Sequence, residues 1–296
     1  MAILLEEQWE IDGYVFGGNG NHRKPVFLLH SGLDYGASGI RSQDAARAGA
    51  DGSLMGRDYI DPPEYQFTMG LEGPDVWEVY ERLARAWRPA NRTQPGWTST
   101  LRYMRNGRTY RMFGRPRKLG IKPAVNKNDQ FQIVEATFQL SEPMMYRETN
   151  QGANTATLRL IAPDSGSGVT FPVAFPVEWR DPNPVQSNGI TVASTVPTPF
   201  EVWIKGPVTG TLSNIKLSGS GWKLETSATV AYDQTLYINT RTQVIQRNGV
   251  NIPGTLSANS RLSARLQPGM STVTFSGTDP SATATARFSW YDTISL

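Results

Sequence analysis

His22 and His30 are the only imidazoles in the chain, and neither stands in a zinc-protease or His-x-Glu setting that would bring a second ligand or a base beside it. The neighbouring carboxylates Glu6 and Glu7 are of the type a glycoside hydrolase uses. That chemistry is set by the spatial separation of two carboxyls, which adjacency in sequence does not supply. The glycine-rich stretch 17–21, "GGNGN", has no following helix and no lysine of a phosphate-binding loop, so it reads as a flexible turn. Cysteine is absent, which removes disulfides, thiolate nucleophiles and Cys-ligated zinc. The expectation is a protein with no catalytic residue, no metal site and no cofactor.

What remains is charge and its distribution. Residues 1–81 hold 14 acids against 5 bases, whereas 82–127 hold 13 Lys or Arg and no acid. The two blocks can neutralise each other within one molecule or between copies. With Trp97, Tyr103 and Tyr110 interleaved, the basic block has the composition of a nucleic-acid track. Against that, the acidic block repels a polyanion and no recognition motif is present, so no sequence-specific nucleic-acid partner is expected. Within the acidic half lies 39–60, "GIRSQDAARAGADGSLMGRDYI", rich in glycine, alternating in charge, and without helical or strand periodicity. A loop of this length with no structure of its own is functional or disordered. Arg41, Asp44, Arg47, Asp51, Arg57 and Asp58 mark it as an assembly surface, because such charges cannot bury themselves yet can pair across an interface.

The elements that would carry these residues are mostly strands. Glycine, proline, Thr, Ser and Val favour short strands and turns, and 296 residues suggest two domains, 1–150 and 151–296. Asp12-Gly13 sets Ile11 opposite Tyr14 and Trp9 opposite Phe16 in a two-residue hairpin. Residues 25–29 supply a third strand, and 64–73 a fourth with Tyr65, Phe67, Met69 and Leu71 on one side. The one helix, 74–88, starts with Pro74 in its first turn and Asp75 at its positive end, and turns Val76, Tyr80, Leu83 and Trp87 inward. Glu78 with Arg82 and Glu81 with Arg85 stand in the favourable order on its outer face.

Asn106-Gly107 then closes a second hairpin, about 98–114, with arginines on both faces. Arg102, Arg105, Arg108, Arg111 and Arg115 thus predict a projecting basic hairpin, packed on another chain or facing a lumen. Strand 131–143 offers Ile133, Phe138 and Leu140 to the core. From Thr155 onward short strands and turns predict a β-sandwich, with an Asn248-Gly249 hairpin that sets Ile245 against Ile252. Trp179, Trp203, Trp222 and Trp290 are core or a sugar platform, and Trp203 with Trp222 is the candidate platform. The N-terminus carries acids where a signal peptide needs bases, and no apolar run reaches membrane-spanning length, so the chain reads as soluble and neither exported nor inserted.

In this combination the chain resembles the distal tail protein family, or minor tail proteins, of long non-contractile-tailed bacteriophages. The resemblance spans nearly the whole length. It rests on the early hairpin, the 39–60 loop, the single helix and the basic hairpin, and within the loop on Arg41, Asp44, Gly49, Asp51, Gly52, Ser53, Gly56 and Asp58. Later it rests on "LYINTRTQVIQRNGVNIPG", "ARLQPGMSTVTFSG" and a Trp-bearing final strand. The family pattern is departed from at Asn239 and Ser271. The resemblance implies a mainly β chain, with an N-terminal sandwich-like ring domain bearing one helix and a projecting hairpin, followed by a galectin-like sandwich. It also implies a structural virion role: a ring, in relatives a hexamer, at the distal end of the tail, assembled in the host cytoplasm. Such a ring joins the tail tube protein to the tail-tip hub protein and lets DNA through its lumen. The alternative reading is a carbohydrate-binding tail-tip protein that contributes to host-wall adhesion through the C-terminal sandwich, with a host-wall glycan as its partner.

Overall fold

A computed structural model describes residues 3–122, 130–149, 152–160, 186–279 and 281–296; Trp179 and the side chain of His22 lie outside what it describes. The chain forms two compact units, one of Met1–Glu148 with Ile294–Leu296 and one of Thr149–Thr293. The return of the last three residues to the first unit is not foreseen by a boundary near 150.

In the first unit β1 (Gln8–Ile11) and β2 (Tyr14–Gly17) pair as the turn chemistry dictates, Trp9 opposite Phe16 and Ile11 opposite Tyr14. Asp12 and Gly13 both take the positive φ that a tight primed turn requires. Next comes β3 (Val26–Asp34), longer than the sequence suggests because a register shift between Leu28 and Leu33 lets the pairing resume beyond Leu29. The chain then leaves the sheet through four two-residue strands, β4 (Ile40–Arg41), β5 (Ala45–Ala46), β6 (Ser53–Leu54) and β7 (Tyr59–Ile60). It returns as β8 (Glu64–Glu72), with Tyr65, Phe67, Met69 and Leu71 all buried.

Helix α1 (Val76–Trp87) begins two residues later than expected. Asp75 is its N-cap, accepting from the Glu78 amide at 3.0 Å, and Pro74 precedes the cap. Val76, Leu83 and Trp87 are buried, and Trp87 meets Phe16 and Phe67 edge-on at 6.2 and 5.7 Å. The predicted Glu78–Arg82 and Glu81–Arg85 pairs form on the outer face. Then β9 (Ser99–Arg105), β10 (Arg108–Lys122), β11 (Phe131–Leu140) and β12 (Met144–Arg147) complete a sheet ordered β2-β1-β9-β10-β11-β8-β3, with β12 on β10. In β11 the buried residues are Val134, Ala136, Phe138 and Leu140; Ile133 has the opposite parity and faces outward, which corrects its place among the core candidates.

The second unit is a sandwich. One sheet runs β13-β23-β15-β19-β20-β21 from β13 (Asn154–Arg159), β15 (Phe200–Lys205), β19 (Thr235–Asn239), β20 (Val244–Arg247), β21 (Val250–Asn251) and β23 (Thr285–Trp290). The other runs β14-β22-β16-β17 from β14 (Gln186–Val192), β16 (Thr211–Gly219), β17 (Trp222–Thr226) and β22 (Gly269–Thr278), with β18 (Val230–Ala231) on β16. Val202, Ile204, Ile238 and Phe288 from the first sheet share one core with Leu217, Leu224, Val273 and Phe275 from the second. The Asn248-Gly249 turn places Ile245 against Ile252, whose amide donates to the Ile245 carbonyl at 3.0 Å. Strand β24 (Asp292–Ser295) then leads back to the first unit, where the Leu296 amide donates to the Pro143 carbonyl at 3.1 Å.

Candidate assembly interface

The stretch expected as a loop is a narrow two-stranded arm. At its root Ile40 pairs with Ile60 and Arg41 with Tyr59; further out Ala45 pairs with Leu54 and Ala46 with Ser53. Between the two ladders the strands are pressed together at Gly56, where a Cβ would stand 2.0 Å from the Gln43 carbonyl oxygen. The Asp44 carboxylate accepts from the Gly56 amide at 2.7 Å, and this bond, seconded by Ser42, holds its carboxyl below the ordinary range. Every residue from Ser42 to Ile60 is exposed. With both faces in water there is no apolar alternation to read, and each ladder is two residues long, so sequence periodicity could not reveal the strands.

The arm's charges divide by use. Asp44 is spent inside the arm, Arg41 faces Asp61 at 3.7 Å, and Arg41 and Arg57 flank the Tyr59 ring at 5.7 and 5.4 Å. Arg47, Asp51 and Asp58 make no ion pair among the described residues. The arm also exposes Ile40, Leu54, Met55 and Ile60, apolar side chains that the charge pattern masked.

The basic hairpin is not the projecting, outward-facing element expected. Its strands β9 and β10 lie inside the sheet, with Arg105 opposite Arg108 across the Asn106-Gly107 turn and Arg102 opposite both Arg111 and Glu10. Arg102 is 5% exposed. Its guanidinium donates to Glu10 at 2.6 Å and to both oxygens of Glu148 at 2.9 and 2.7 Å, while Arg111 reaches Glu148 at 2.8 Å. Burial raises the Glu148 carboxyl, but the Arg102 hydrogen bond and the Arg111 and Arg102 charges outweigh it and hold the group low. Arg102 and Arg111 are thus corrected from interface residues to a buried ion network. Arg115 is internal too, donating to the Trp97 and Gln94 carbonyls at 2.7 and 3.0 Å. The turn itself is tied down, since Glu6 accepts from the Asn106 and Gly107 amides at 2.5 and 3.2 Å. Arg105 and Arg108 remain exposed at the hairpin end.

The tryptophan pair is also divided. Phe200, Val202 and Ile204 point into the sandwich, so by alternation Trp203 points out, where it meets Tyr237 at 5.2 Å. Trp222 belongs to the other sheet and packs on core residue Phe200 at 4.8 Å. Trp203 and Trp222 therefore form no common platform. Register instead lines up Thr157, Arg287, Trp203 and Tyr237 across the outer face, over a concavity of about 500 Å³.

No protein-family model matches the sequence, and no curated protein matches it. Solved structures do match. The SPP1 phage Dit protein, described as a paradigm of the hub adsorption apparatus of phages infecting Gram-positive bacteria, superposes with a TM-score of 0.57 at 12% identity over 97% of this chain and 98% of its own. The chain has its fold. A chain of the phage P2 baseplate in its activated, calcium-bound conformation matches at 0.54 and 10% identity, over 97% and 98% of the two chains. The strontium form of that baseplate gives 0.55 and 11%, over 96% and 97%. The match thus takes in nearly the whole chain, with residues of both units.

Proposed function

We propose that this chain is a structural subunit of a phage tail tip, a virion component that forms a closed ring, in six copies, between the tail tube protein and the hub protein, with DNA passing through the lumen. The observation that carries the reading is the end-to-end fold match to a Dit hub protein. It is supported by an arm that exposes charged and apolar side chains together, as a surface awaiting a partner does. The charge blocks cancel partly within the molecule, through Glu10–Arg102, Glu78–Arg82 and Glu81–Arg85, which leaves the arm and the Arg105–Arg108 end for matching between copies. Native mass and negative-stain images at low and moderate salt test the reading. A ring with a central hole is the expected result, and a chain that stays monomeric both alone and with tube and hub proteins overturns it.

A second reading rests on Trp203. Half-exposed beside Tyr237, and flanked by Arg287, Lys205, Thr235 and Ser289, it offers a stacking face with hydrogen-bonding neighbours suited to a host-wall glycan. Oligosaccharide titration of intact chain and Trp203→Ala checks it: binding that survives the substitution removes this site.

A further inference from the structure

A cleft of about 520 Å³ opens in the first unit at the root of the arm, between Tyr35 where the chain departs, Tyr65 where it returns, and the hairpin residues Tyr103 and Arg105, with Met145 beside them. Trp9 and Tyr65 line it while being 0% and 1% exposed, and the Trp9 Nε1 and the Tyr65 hydroxyl have no hydrogen-bond partner among the described residues. A buried donor left unmatched is unfavourable, so an acceptor brought to it stabilises the site. No Asp or Glu side chain is among the described residues that line the cleft, so a segment bringing acceptors of its own suits it. Trp9 and Tyr103 stack at 4.1 Å and Tyr35 meets Tyr65 edge-on at 5.3 Å, which makes the walls aromatic. The occupant that fits is a peptide segment with aliphatic side chains and free backbone carbonyls.

The arm carries such a segment. Leu54 and Met55 are 58% and 82% exposed, and among the described residues neither Asp58, which follows them, nor Arg105, at the rim of the cleft, has an ion pair. Leu54 stands six residues from the root at Ile60, about 20 Å of extended strand, so an arm cannot place it in its own cleft. Another copy can.

We propose that the cleft receives the arm of a second copy, with Leu54 and Met55 between the aromatic walls, arm carbonyls accepting from Trp9 Nε1 and the Tyr65 hydroxyl, and Asp58 facing Arg105. This rests on the ring reading and gives it a mechanism: each copy offers an arm to one neighbour and a cleft to the other, a head-to-tail relation that can close. Because the chain has no cysteine, Met55→Cys and Met145→Cys can be made as separate proteins, mixed and mildly oxidised. A disulfide-linked pair formed in the mixture at least tenfold above either protein alone is expected. Oligomers that form without this cross-link overturn arm-to-cleft docking and leave the ring standing; a chain that neither associates nor cross-links overturns both. Met55→Asp should weaken association at least tenfold, and Tyr65→Phe several-fold with no loss of monomer melting temperature. Association unchanged in both variants also overturns the docking.

Discussion

Arg102 in the basic hairpin is held by two buried carboxylates, while Arg47 in the arm stands in water with no ion pair among the described residues. Both belong to charge-rich stretches flanking short turns, and a count of charges treats them alike. The difference lies in what surrounds each strand. β9 sits between β1 and β10, so its side chains must face a neighbour, and an arginine there persists only because Glu10 and Glu148 neutralise it. Every residue of the arm from Ser42 to Ile60 is exposed, so its charges stay hydrated at little cost, and apart from Asp44, which ties the two strands together, they add little to the stability of the fold.

The sharpest way to break this contrast is to remove the buried cation. Arg102→Ala takes the cation from buried Glu10 and leaves Glu148 with Arg111 alone, and the first unit should lose about 3–5 kcal/mol in denaturant unfolding; a loss as small as a surface change, about 0.5 kcal/mol, would erase the distinction. Acid probes the same network. Because the folded Glu148 carboxyl is held below its ordinary value, its contribution is complete above that ordinary value and is lost as pH falls through the folded one. The first unit should therefore weaken as pH falls below the ordinary carboxyl range, and Glu148→Gln should be less stable at neutral pH with a flatter acid limb.

The arm should answer differently. Arg41→Ala with Asp58→Ala is expected to leave unfolding within about 0.5 kcal/mol while reducing assembly several-fold at low salt, an effect that fades as salt rises. Indifferent assembly would return the arm to a plain surface loop. The smallest effect is local to the arm. Loss of the Asp44 acceptor in Asp44→Ala should lower the protection of the Gly56 amide against exchange without changing global unfolding, and acid should lower the same protection, relative to the intrinsic rate, in the unaltered chain, since the depressed Asp44 carboxyl accepts that bond more strongly while ionised.

What the sequence made legible was local. Asp12-Gly13, Asn106-Gly107 and Asn248-Gly249 fix register within a few residues, and the structure keeps each pairing. The face of α1 and the alternation of β8 follow from period alone. Ile133 and Phe138 stand five residues apart on β11, so a strict two-residue period sends them to opposite faces, and the sequence alone distinguishes them. Glu148 is different in kind: it reaches Arg102 across 46 residues, and no spacing signals that meeting. The cleft draws Trp9, Tyr65, Tyr103 and Met145 from four strands, so its existence is a property of the sheet order β1-β9-β10 and β8, which hairpin signals do not specify.

Leu296 forms part of the cleft wall and is tied by its amide to Pro143. A dye or spin label attached at position 296 would therefore sit in the wall of the aromatic lining and perturb what it was meant to watch. Handles for biochemistry on the cleft are better placed at the tips of second-unit turns such as Asn248-Gly249, whose residues are exposed.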